Sequence, residues 1–528
     1  MKQFTYLRTI IILNVSLLFI ACGDKNANKE ENLEDLVVAE NRTDYTEQFR
    51  PQFHFTPEEK WMNDPNGLVY HQGVYHLFYQ YYPDDIVWGP MHWGHAISKD
   101  MISWEHKPIA LYPDELGYIF SGSAVVDIDN TSGLGTIENP PLVAIFTYHL
   151  IEGEKAGKLD FQTQGIAYSL DNGDTWTKYE GNPVIPNDTG IKDFRDPKVY
   201  WDEEANYWIL ILVAGDQAKF YKSDDLKEWV HLSDFGKENG AHGGVWECPD
   251  LFKLKVGESD EEKWVLLISI NPGAPNGGSG TQYFVGNFDG KKFTAEHKDH
   301  KWLDWGTDNY AGVTYNNTSN NERIFIGWMS NWNYARNTPT ERWRSAMTLP
   351  RELSLINENG HYFLQSNVME AFNKQVSKVS EQEIISLESP FDLDYENFNQ
   401  SEVSFKTNLS KQLKLQFTNK KNEKLIFEID PLNKKMTIDR MASGLVAFEP
   451  SFAKDIHALP YTVSNKEVDV RIIMDWSSVE IFVDDGKYVM TDQIFPTEFY
   501  NNLQVSSIDQ IRLKNFNLNN IKSIWKDE

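Results

Sequence analysis

The sequence predicts an all-β chain in which a five-bladed β-propeller is followed by a C-terminal β-sandwich. Three observations support this prediction: a turn motif that occurs four times, strand-like apolar segments between its copies, and a change of composition after about Asn359. A chain of 528 residues also exceeds the size at which one hydrophobic core usually stops growing, so two domains are expected.

The turn motif joins a Ser or Asn to an Asp two residues later, and an aromatic residue follows. Such side chains cap turns, and the aromatic residue then opens the next strand. The copies begin 71, 54 and 64 residues apart, which suits four-stranded propeller blades with loops. They are Ser98-Lys-Asp100 with Trp104, Ser169-Leu-Asp171 with Trp176, Ser223-Asp-Asp225 with Trp229, and Asn287-Phe-Asp289 with Phe293.

Strand-like segments occupy the gaps between the motifs, and few stretches have helical periodicity. Segment 323–328 lies beyond the fourth motif, so the pattern predicts five blades over residues 45–355. The loops of all blades converge on the axis of such a ring, where ligands bind. The predicted strands are 73–79, 142–147, 207–213, 263–270 and 323–328.

Residues 356–528 are predicted to form the β-sandwich. Alternating apolar and polar residues over 413–417, 425–429 and 468–474 are typical of strands with one buried face. Segment 475–483 alternates in the same way, which indicates a strand and not a catalytic motif.

The N-terminus predicts export and lipid anchoring. Lys2 and Arg8 precede an apolar stretch over 10–20, which is typical of a signal peptide and too short for a membrane-spanning helix. Leu-Phe-Ile-Ala-Cys22 resembles a bacterial lipobox, so residues 1–22 would end in an acylated cysteine; a plain signal peptide is the alternative. The polar residues 23–44 predict a disordered tether. Cys22 would therefore anchor the protein in a bacterial outer membrane, facing the cell surface or the periplasm.

Charge and cysteine content argue against a nucleic-acid partner, an intramolecular disulfide and a metal site. The chain has 78 acidic and 50 basic residues and a formal net charge of −28, which argues against nucleic acid as a partner. Cys22 and Cys248 are its only cysteines, so acylation of Cys22 would leave one thiol and no intramolecular disulfide. The sequence predicts no metal site and no cofactor.

Three short acidic motifs are candidates for catalysis. They are Trp61-Met-Asn63-Asp64-Pro65-Asn66-Gly67, Arg195-Asp196-Pro197 and Glu247-Cys248-Pro249-Asp250. Taken singly, the first also fits a plain turn and the second a surface ion pair. Together they fit glycoside hydrolysis, which needs two carboxyl groups beside the scissile bond and often a third that binds substrate hydroxyls.

On these motifs the chain resembles glycoside hydrolase family 32, the β-fructofuranosidases that include invertases, inulinases and levanases. The resemblance extends through the predicted propeller, and 475–482 is similar to the C-terminal sandwich of that family. The motifs that carry it are 61–67, 88–95, 120–123, 194–197, 243–250, 276–278 and 343–351.

The resemblance implies a role for each acid. Asp64 would be the nucleophile that forms a covalent fructosyl-enzyme, with net retention at the anomeric carbon. Glu247 would be the acid/base, and Asp196 would stabilise the transition state through two fructosyl hydroxyls. Arg195 would help to hold the acids in place. The family resemblance calls for no metal or cofactor.

The resemblance also implies a set of substrate-binding residues. Besides Arg195, the positions that match the fructosyl pocket of the family are Asn63, Gln80, Trp88, Phe120 and Ser121. Trp305 and Trp328 are further candidates, as aromatic walls, although packing explains them equally well.

The expected function is hydrolysis of β-fructosyl linkages in fructans (levan or inulin) and sucrose, with release of fructose from chain ends. The export signal and segment 328–335 resemble fructan-degrading members. Fructan or fructo-oligosaccharide is the expected partner, together with the membrane and a sugar-uptake system. An endo-acting levanase and a non-catalytic fructan-binding surface lipoprotein are the alternatives. A sialidase is disfavoured because the best motif offers an aspartate where a tyrosine nucleophile is expected.

Overall fold

The computed structural model describes residues 44–319, 322–462 and 466–525. These residues form an all-β structure with one short α-helix, α1 (Ile151–Lys155), as predicted. The predictions for the signal peptide, for Cys22 and for the tether up to residue 43 lie outside the described residues. No helix within the described ranges is long and apolar enough to span a membrane.

Sheets of four or five strands follow one another through the first part of the chain. In each sheet the first two strands are hydrogen-bonded neighbours and run antiparallel. In the described ranges there are five such sheets: β1 (Lys60–His71), β2 (Val74–Tyr82), β3 (His92–Ser98) and β4 (Glu105–Leu111); β5 (Tyr118–Val126), β6 (Leu142–His149), β7 (Gln162–Ser169) and β8 (Thr177–Lys178); β9 (Phe194–Asp202), β10 (Tyr207–Ala214), β11 (Gln217–Ser223) and β12 (Val230–Phe235); β13 (Val245–Lys255), β14 (Glu262–Asn271), β15 (Gly280–Phe288), β16 (Phe293–Ala295) and β17 (Lys301–Trp302); and β18 (Tyr310–Thr314), β19 (Ile324–Met329), β21 (Ala346–Met347), β22 (Arg351–Glu358) and β23 (His361–Val368), with β20 (Trp343–Arg344) joining the first sheet.

The first strands of these sheets form a closed ring. Strand β1 contacts β5, β5 contacts β9, β9 contacts β13, β13 contacts β18, and β18 contacts β1 again. Strand β20 pairs in parallel with β1, at Lys60 and Trp61, and so ties the beginning of the first sheet to the chain that follows β19. This is the propeller arrangement that the sequence predicts.

The repeated motif joins the third and fourth strands in four of the sheets. In three copies the Ser side chain accepts a hydrogen bond from the backbone N–H of the Asp two residues on, at 3.2 Å for Asp100, 3.4 Å for Asp171 and 3.1 Å for Asp225. In the fourth, Asp289 accepts hydrogen bonds from the two backbone N–H groups of 291 and 292. All five segments predicted as strands in the gaps are second strands of their sheets.

The fifth sheet continues past the predicted domain boundary. Strands β22 and β23 pair along their whole length, so the pairing of the fifth sheet reaches Val368, whereas the predicted propeller ended at 355. Composition does not mark this point in the chain, because the apolar alternation of these strands resembles that of the sandwich strands that follow.

The remaining strands form two six-stranded sheets that pack face to face around one apolar core, as predicted for a sandwich. The first contains β24 (Val376–Leu387), β26 (Ser401–Asn408), β31 (Glu467–Asp475), β32 (Ser478–Val483), β33 (Tyr488–Gln493) and β35 (Ile511–Ile521), and the second contains β25 (Phe391–Asp394), β27 (Leu413–Thr418), β28 (Lys424–Asp430), β29 (Lys435–Ala442), β30 (His457–Pro460) and β34 (Asn502–Ser506).

Buried ion pairs join the sandwich to the propeller. Arg351 on β22 donates hydrogen bonds to Asp304 at 3.0 Å and to Glu480 on β32 at 2.6 Å. His54 lies between Asp475 and Glu480, at 2.8 and 2.9 Å. Burial alone lowers the pKa of His54, but the two carboxylates outweigh it and raise the pKa to about 9. The charged imidazolium therefore belongs to the folded interface.

Candidate active site

The predicted acids lie near the beginnings of the first strands, where the ring opens into a cavity. Asp64 is in β1, Asp196 in β9 and Glu247 in β13, and all three line a cavity of about 420 Å³. Ser121 from β5 lines it as well. The structure thus brings together three acids that are far apart in the sequence.

Local irregularities in the strands aim these side chains. The pairing of β1 with β2 shifts between Met62 and Pro65, next to Asp64, and that of β13 with β14 shifts between Glu247 and Asp250. Similar shifts occur in β5, β9 and β18. Asp196 has a φ of 63°, a left-handed conformation that non-glycine residues seldom adopt. Bulges and positive φ values recur at active sites because they turn a side chain out of the regular alternation.

Asp64 is held at both carboxylate oxygens. Asn63 Nδ2 donates to Oδ1 at 2.9 Å, and the Ser121 hydroxyl donates to Oδ2 at 2.6 Å. Burial raises the pKa of Asp64 and the charge of Glu247 raises it further, while the hydrogen bonds from Ser121 and Asn63 lower it. The group is fixed in orientation and is easier to protonate than an exposed aspartate.

Glu247 is also held at both oxygens, but by different partners. Arg195 Nη2 donates to Oε1 at 2.7 Å, and the Tyr310 hydroxyl donates to Oε2. Arg195 itself is oriented by Asp193, which accepts a hydrogen bond from Nη1 at 2.8 Å. Sequence reasoning missed Tyr310, which lies in no acidic motif. The one feature that could have indicated Tyr310 is its position at the start of β18, the first strand of the fifth propeller sheet.

Asp196 lies deepest of the three acids, with 5% of its surface exposed. The backbone N–H of Cys248 donates to its Oδ2 at 3.0 Å, and Arg195 Nε is 3.9 Å from the same oxygen. The pKa of Asp196 is raised to about 7: burial raises it most, Arg195 opposes that shift, and the charges of Glu247 and Asp64 add to it. Three carboxyl groups therefore share one partly dry site, and Asp64 and Asp196 are both easier to protonate there than exposed aspartates are.

The predicted pocket residues divide into two groups. Asn63, Gln80, Trp88, Phe120, Ser121 and Arg195 all line the cavity. Trp328 and Trp305 do not: Trp328 is fully buried against Trp61 and Trp332, and Trp305 packs against the sandwich core. For both tryptophans the structure supports the packing interpretation, which their sequence context could not separate from pocket lining.

Further residues of the cavity wall were not singled out from the sequence. Trp332 lies in segment 328–335, which resembles fructan-degrading enzymes, but in that segment Trp328 was the candidate for the pocket wall. The missed lining residues are His149, Glu154, Phe161, Gln162, Asp193, Asn271, Trp332 and Arg336. Within the part of the chain that the structure describes, no three His, Cys, Asp or Glu side chains are arranged to hold a metal ion.

Comparison with known proteins decides the family. A profile described as "Glycosyl hydrolases family 32 N-terminal domain" matches residues 54–366, and one described as "Glycosyl hydrolases family 32 C terminal" matches residues 366–521. The chain belongs to glycoside hydrolase family 32. It is therefore a glycoside hydrolase, and the resemblance drawn from the sequence motifs is confirmed.

Individual family 32 proteins are similar over most of this chain. The levanase of Bacillus subtilis (strain 168) is 46% identical over 493 residues, which cover 91% of this chain and 72% of the levanase. The extracellular exo-inulinase of Aspergillus awamori is 41% identical over 491 residues, covering 86% of this chain and 90% of the inulinase.

Solved family 32 structures share the fold. A crystal structure of the Aspergillus awamori exo-inulinase gives a TM-score of 0.84 at 37% identity and covers 91% of this chain and 100% of that one. The β-fructofuranosidase of Schwanniomyces occidentalis complexed with fructosyl-erythritol gives a TM-score of 0.80 at 30% identity, covering 91% and 99%. The propeller-plus-sandwich architecture is thus that of the family.

Proposed function

We propose that the protein is a retaining, exo-acting β-fructosidase that releases fructose from the ends of fructan chains and also cleaves sucrose. The observation that carries this proposal is the convergence of Asp64, Asp196 and Glu247 on one cavity of about 420 Å³. A cavity of this size suits a terminal sugar unit and its immediate neighbour. The relatives named levanase and exo-inulinase support a fructosyl substrate.

In the first step Asp64 attacks the anomeric carbon while Glu247 protonates the departing glycosidic oxygen. Asn63 and Ser121 hold the attacking carboxylate, and Arg195 and Tyr310 hold the acid. The new bond joins Asp64 to the fructosyl unit, and the leaving group departs with the proton from Glu247.

In the second step Glu247, now ionised, takes a proton from a water molecule that attacks the same carbon. The bond to Asp64 breaks, and fructose leaves with its anomeric configuration retained. Asp196 binds fructosyl hydroxyls more strongly as positive charge develops on the ring, which lowers the barrier.

Retention is what the resemblance to family 32 implies, and the two carboxyl groups that it requires, Asp64 and Glu247, line the same cavity. The charge of Glu247 raises the pKa of Asp64, and the thiol of Cys248, the residue after Glu247, lies 3.6 Å from Asp64 Oδ2. Retaining enzymes place their two carboxyl groups close together, whereas inverting enzymes leave room for a water molecule between them.

Products of levan, inulin and sucrose test both parts of the proposal. Exo action predicts fructose as the only early product from the polymers, and the polymer cut faster identifies the preferred linkage, β-2,6 or β-2,1. A ladder of oligosaccharides would show endo action. Added methanol should yield methyl β-fructofuranoside from a retaining enzyme; the α anomer would contradict retention.

We also propose that Cys22 anchors the enzyme to the outer membrane, where released fructose is available to a sugar-uptake system. The lipobox-like Leu-Phe-Ile-Ala-Cys22 supports this proposal. Growth with an alkyne-tagged fatty acid should label the wild-type protein and not Cys22→Ala. Equal labelling of the two proteins, or no label on either, would contradict it.

A further inference from the structure

A second cavity, of about 510 Å³, lies at the other end of the ring of first strands. The active site uses residues near the beginnings of these strands, and the second cavity uses residues near their ends, such as Val126 in β5, Tyr200 in β9 and Phe252 in β13. The two cavities share no lining residue among those described. They are therefore separate sites on one axis.

The two cavities are separated by part of strand β9 and by buried side chains. Asp196 and Tyr200 are four residues apart along β9, or about 13 Å at the rise of a β-strand. Between them the buried Lys198 donates to the backbone carbonyl of Thr314 at 2.5 Å and lies 3.3 Å from Asp250 Oδ2. A ligand in the second cavity would not contact the catalytic acids.

Three polar side chains that line the second cavity have atoms without a hydrogen-bond partner in the described structure. Asp250 is fully buried; its Oδ2 accepts hydrogen bonds from Thr314, but its Oδ1 has none. The Tyr200 hydroxyl and Arg323 Nε are likewise buried and unpartnered. Buried groups of this kind are costly, and a polar molecule held in the cavity would supply the hydrogen-bond partners that these three atoms lack.

Aromatic side chains form much of the remaining wall. Tyr200, Trp201, Phe252 and Trp264 all line the cavity, and Trp201 and Trp264 are only partly buried. Partly exposed indole rings beside hydrogen-bonding groups suit the apolar faces and hydroxyls of a sugar ring.

The charge of the wall excludes other ligand classes. Its acidic residues outnumber Lys253 and Arg323, and Lys253 is already paired with Glu204 at 2.8 Å, so anions are disfavoured. A metal ion is disfavoured as well, because Lys198 and Arg323 lie beside Asp250 and the described residues contain no three-residue metal cluster. The acidic lining residues are Asp127, Asp129, Asp202, Glu203, Glu204 and Asp250.

We propose that this cavity is a second, non-catalytic binding site for a neutral saccharide of one or two sugar units. Asp250 Oδ1 and the Tyr200 hydroxyl would bind sugar hydroxyls, Arg323 Nε would donate to a ring or hydroxyl oxygen, and Trp201 would stack on the ring. The inference does not depend on which glycoside the active site hydrolyses.

The test is calorimetric titration of the full-length chain carrying Asp64→Asn with fructose, sucrose and fructotriose, so that hydrolysis during the titration is slow. The proposal predicts two sites per chain. Tyr200→Phe removes only the hydroxyl and should weaken one of the two sites by about fivefold, the effect of one lost hydrogen bond. Tyr207→Phe, which loses a hydroxyl bonded to the carbonyl of Gly290 outside both cavities, should leave both sites unchanged.

Sugar binding that Tyr200→Phe leaves unchanged, whether at one site per chain or at two, would overturn the proposal, and so would the absence of any sugar binding. An equal loss in Tyr207→Phe would do the same. Hydrolysis by the chain with Asp64 intact is measured separately, and Tyr200→Phe should not change its kcat on sucrose. If the chain with Asp64 intact hydrolyses no fructoside, the proposed function is wrong. If Tyr200-dependent sugar binding is nevertheless observed, the second binding site is still supported.

Discussion

Asp64 is subject to opposing influences from its neighbours. Burial and Glu247 raise its pKa, while the hydrogen bonds from Ser121 and Asn63 lower it. The type of this residue and its motif were readable from the sequence. The balance of influences was not, because Ser121 and Glu247 reach Asp64 only through the fold.

Ser121→Ala should therefore move the acidic limb of the pH profile. Loss of its hydrogen bond raises the pKa of Asp64 further, and Asp64 attacks only when ionised, so kcat/KM should begin to fall at a higher pH than in the wild type. Rate measurements between pH 3 and 8 on sucrose give the result. Ser98→Ala, which removes a hydroxyl from a turn outside the cavity, serves as control. An unmoved acidic limb would contradict this account.

Tyr310→Phe should impair Glu247 as an acid. The variant loses the hydrogen bond that orients Glu247 Oε2, and bonds to a charged group contribute about 1.5–3 kcal/mol, so kcat/KM on sucrose should fall by about 10- to 100-fold. An aryl fructoside with a good leaving group needs less protonation and should lose less. Equal losses on both substrates would show that Tyr310 does not act through Glu247.

At the scale of elements, the repeated turns were predictable and the strand irregularities were not. Ser223 and Asp225 form their turn from residues within one short segment, so the pattern is visible in the sequence. The bulges beside Asp64 and Glu247 depend on the register of pairing with the next strand. Trp305 and Trp328 show the same limit, because local sequence does not say which side of a wall a tryptophan faces.

Asp225→Ala should destabilise the third sheet without affecting catalysis. Asp225 Oδ1 accepts hydrogen bonds from the backbone N–H groups of 227 and 228, both at 2.9 Å. Loss of such a cap costs about 1 kcal/mol of unfolding free energy. Burial raises the pKa of Asp225, but these hydrogen bonds lower it below its ordinary value, so the cost should shrink as pH falls below about 4.

The neighbouring Asp224 provides a matched control for this variant, since its side chain is exposed. Denaturant unfolding of Asp225→Ala and Asp224→Ala at pH 7 and pH 3 makes the comparison. Equal stability of the two variants at pH 7 would mean that the repeated motif records ancestry of the blades and not a stabilising turn.

Across the whole molecule, charged residues from distant parts of the chain join propeller and sandwich. Arg351, Asp304 and Glu480 belong to different sheets or loops, and no local pattern marks them as partners. The order of the two domains was predictable from motif and composition. Their interface was not, because a buried ion pair has the same sequence signature as an exposed one.

His54 makes this interface sensitive to alkaline pH. Its folded pKa of about 9 exceeds the ordinary value of 6.5, so its contribution to stability is complete below about pH 6.5 and is lost as pH rises through 9. The unfolding free energy should fall between pH 7 and 9 by up to about 1.4 kcal/mol per pH unit.

Thermal unfolding of the wild type and of His54→Gln from pH 6 to 10 tests this point. The variant should be less stable at pH 6 and should lose the slope between pH 7 and 9. His231→Gln, a change at an exposed histidine paired with Asp234, should keep the slope of the wild type. A slope that survives in His54→Gln would assign the pH dependence to another group.

The most direct test of the catalytic account is the rate of Asp64→Asn on the fructan that the wild type cuts fastest. Asparagine keeps the shape of the side chain but cannot form the fructosyl ester, so kcat should fall by roughly 10³-fold or more, about 4 kcal/mol of barrier. Unfolding temperature and sugar binding should stay close to those of the wild type. A folded Asp64→Asn protein with a rate within tenfold of the wild type would show that Asp64 is not the nucleophile.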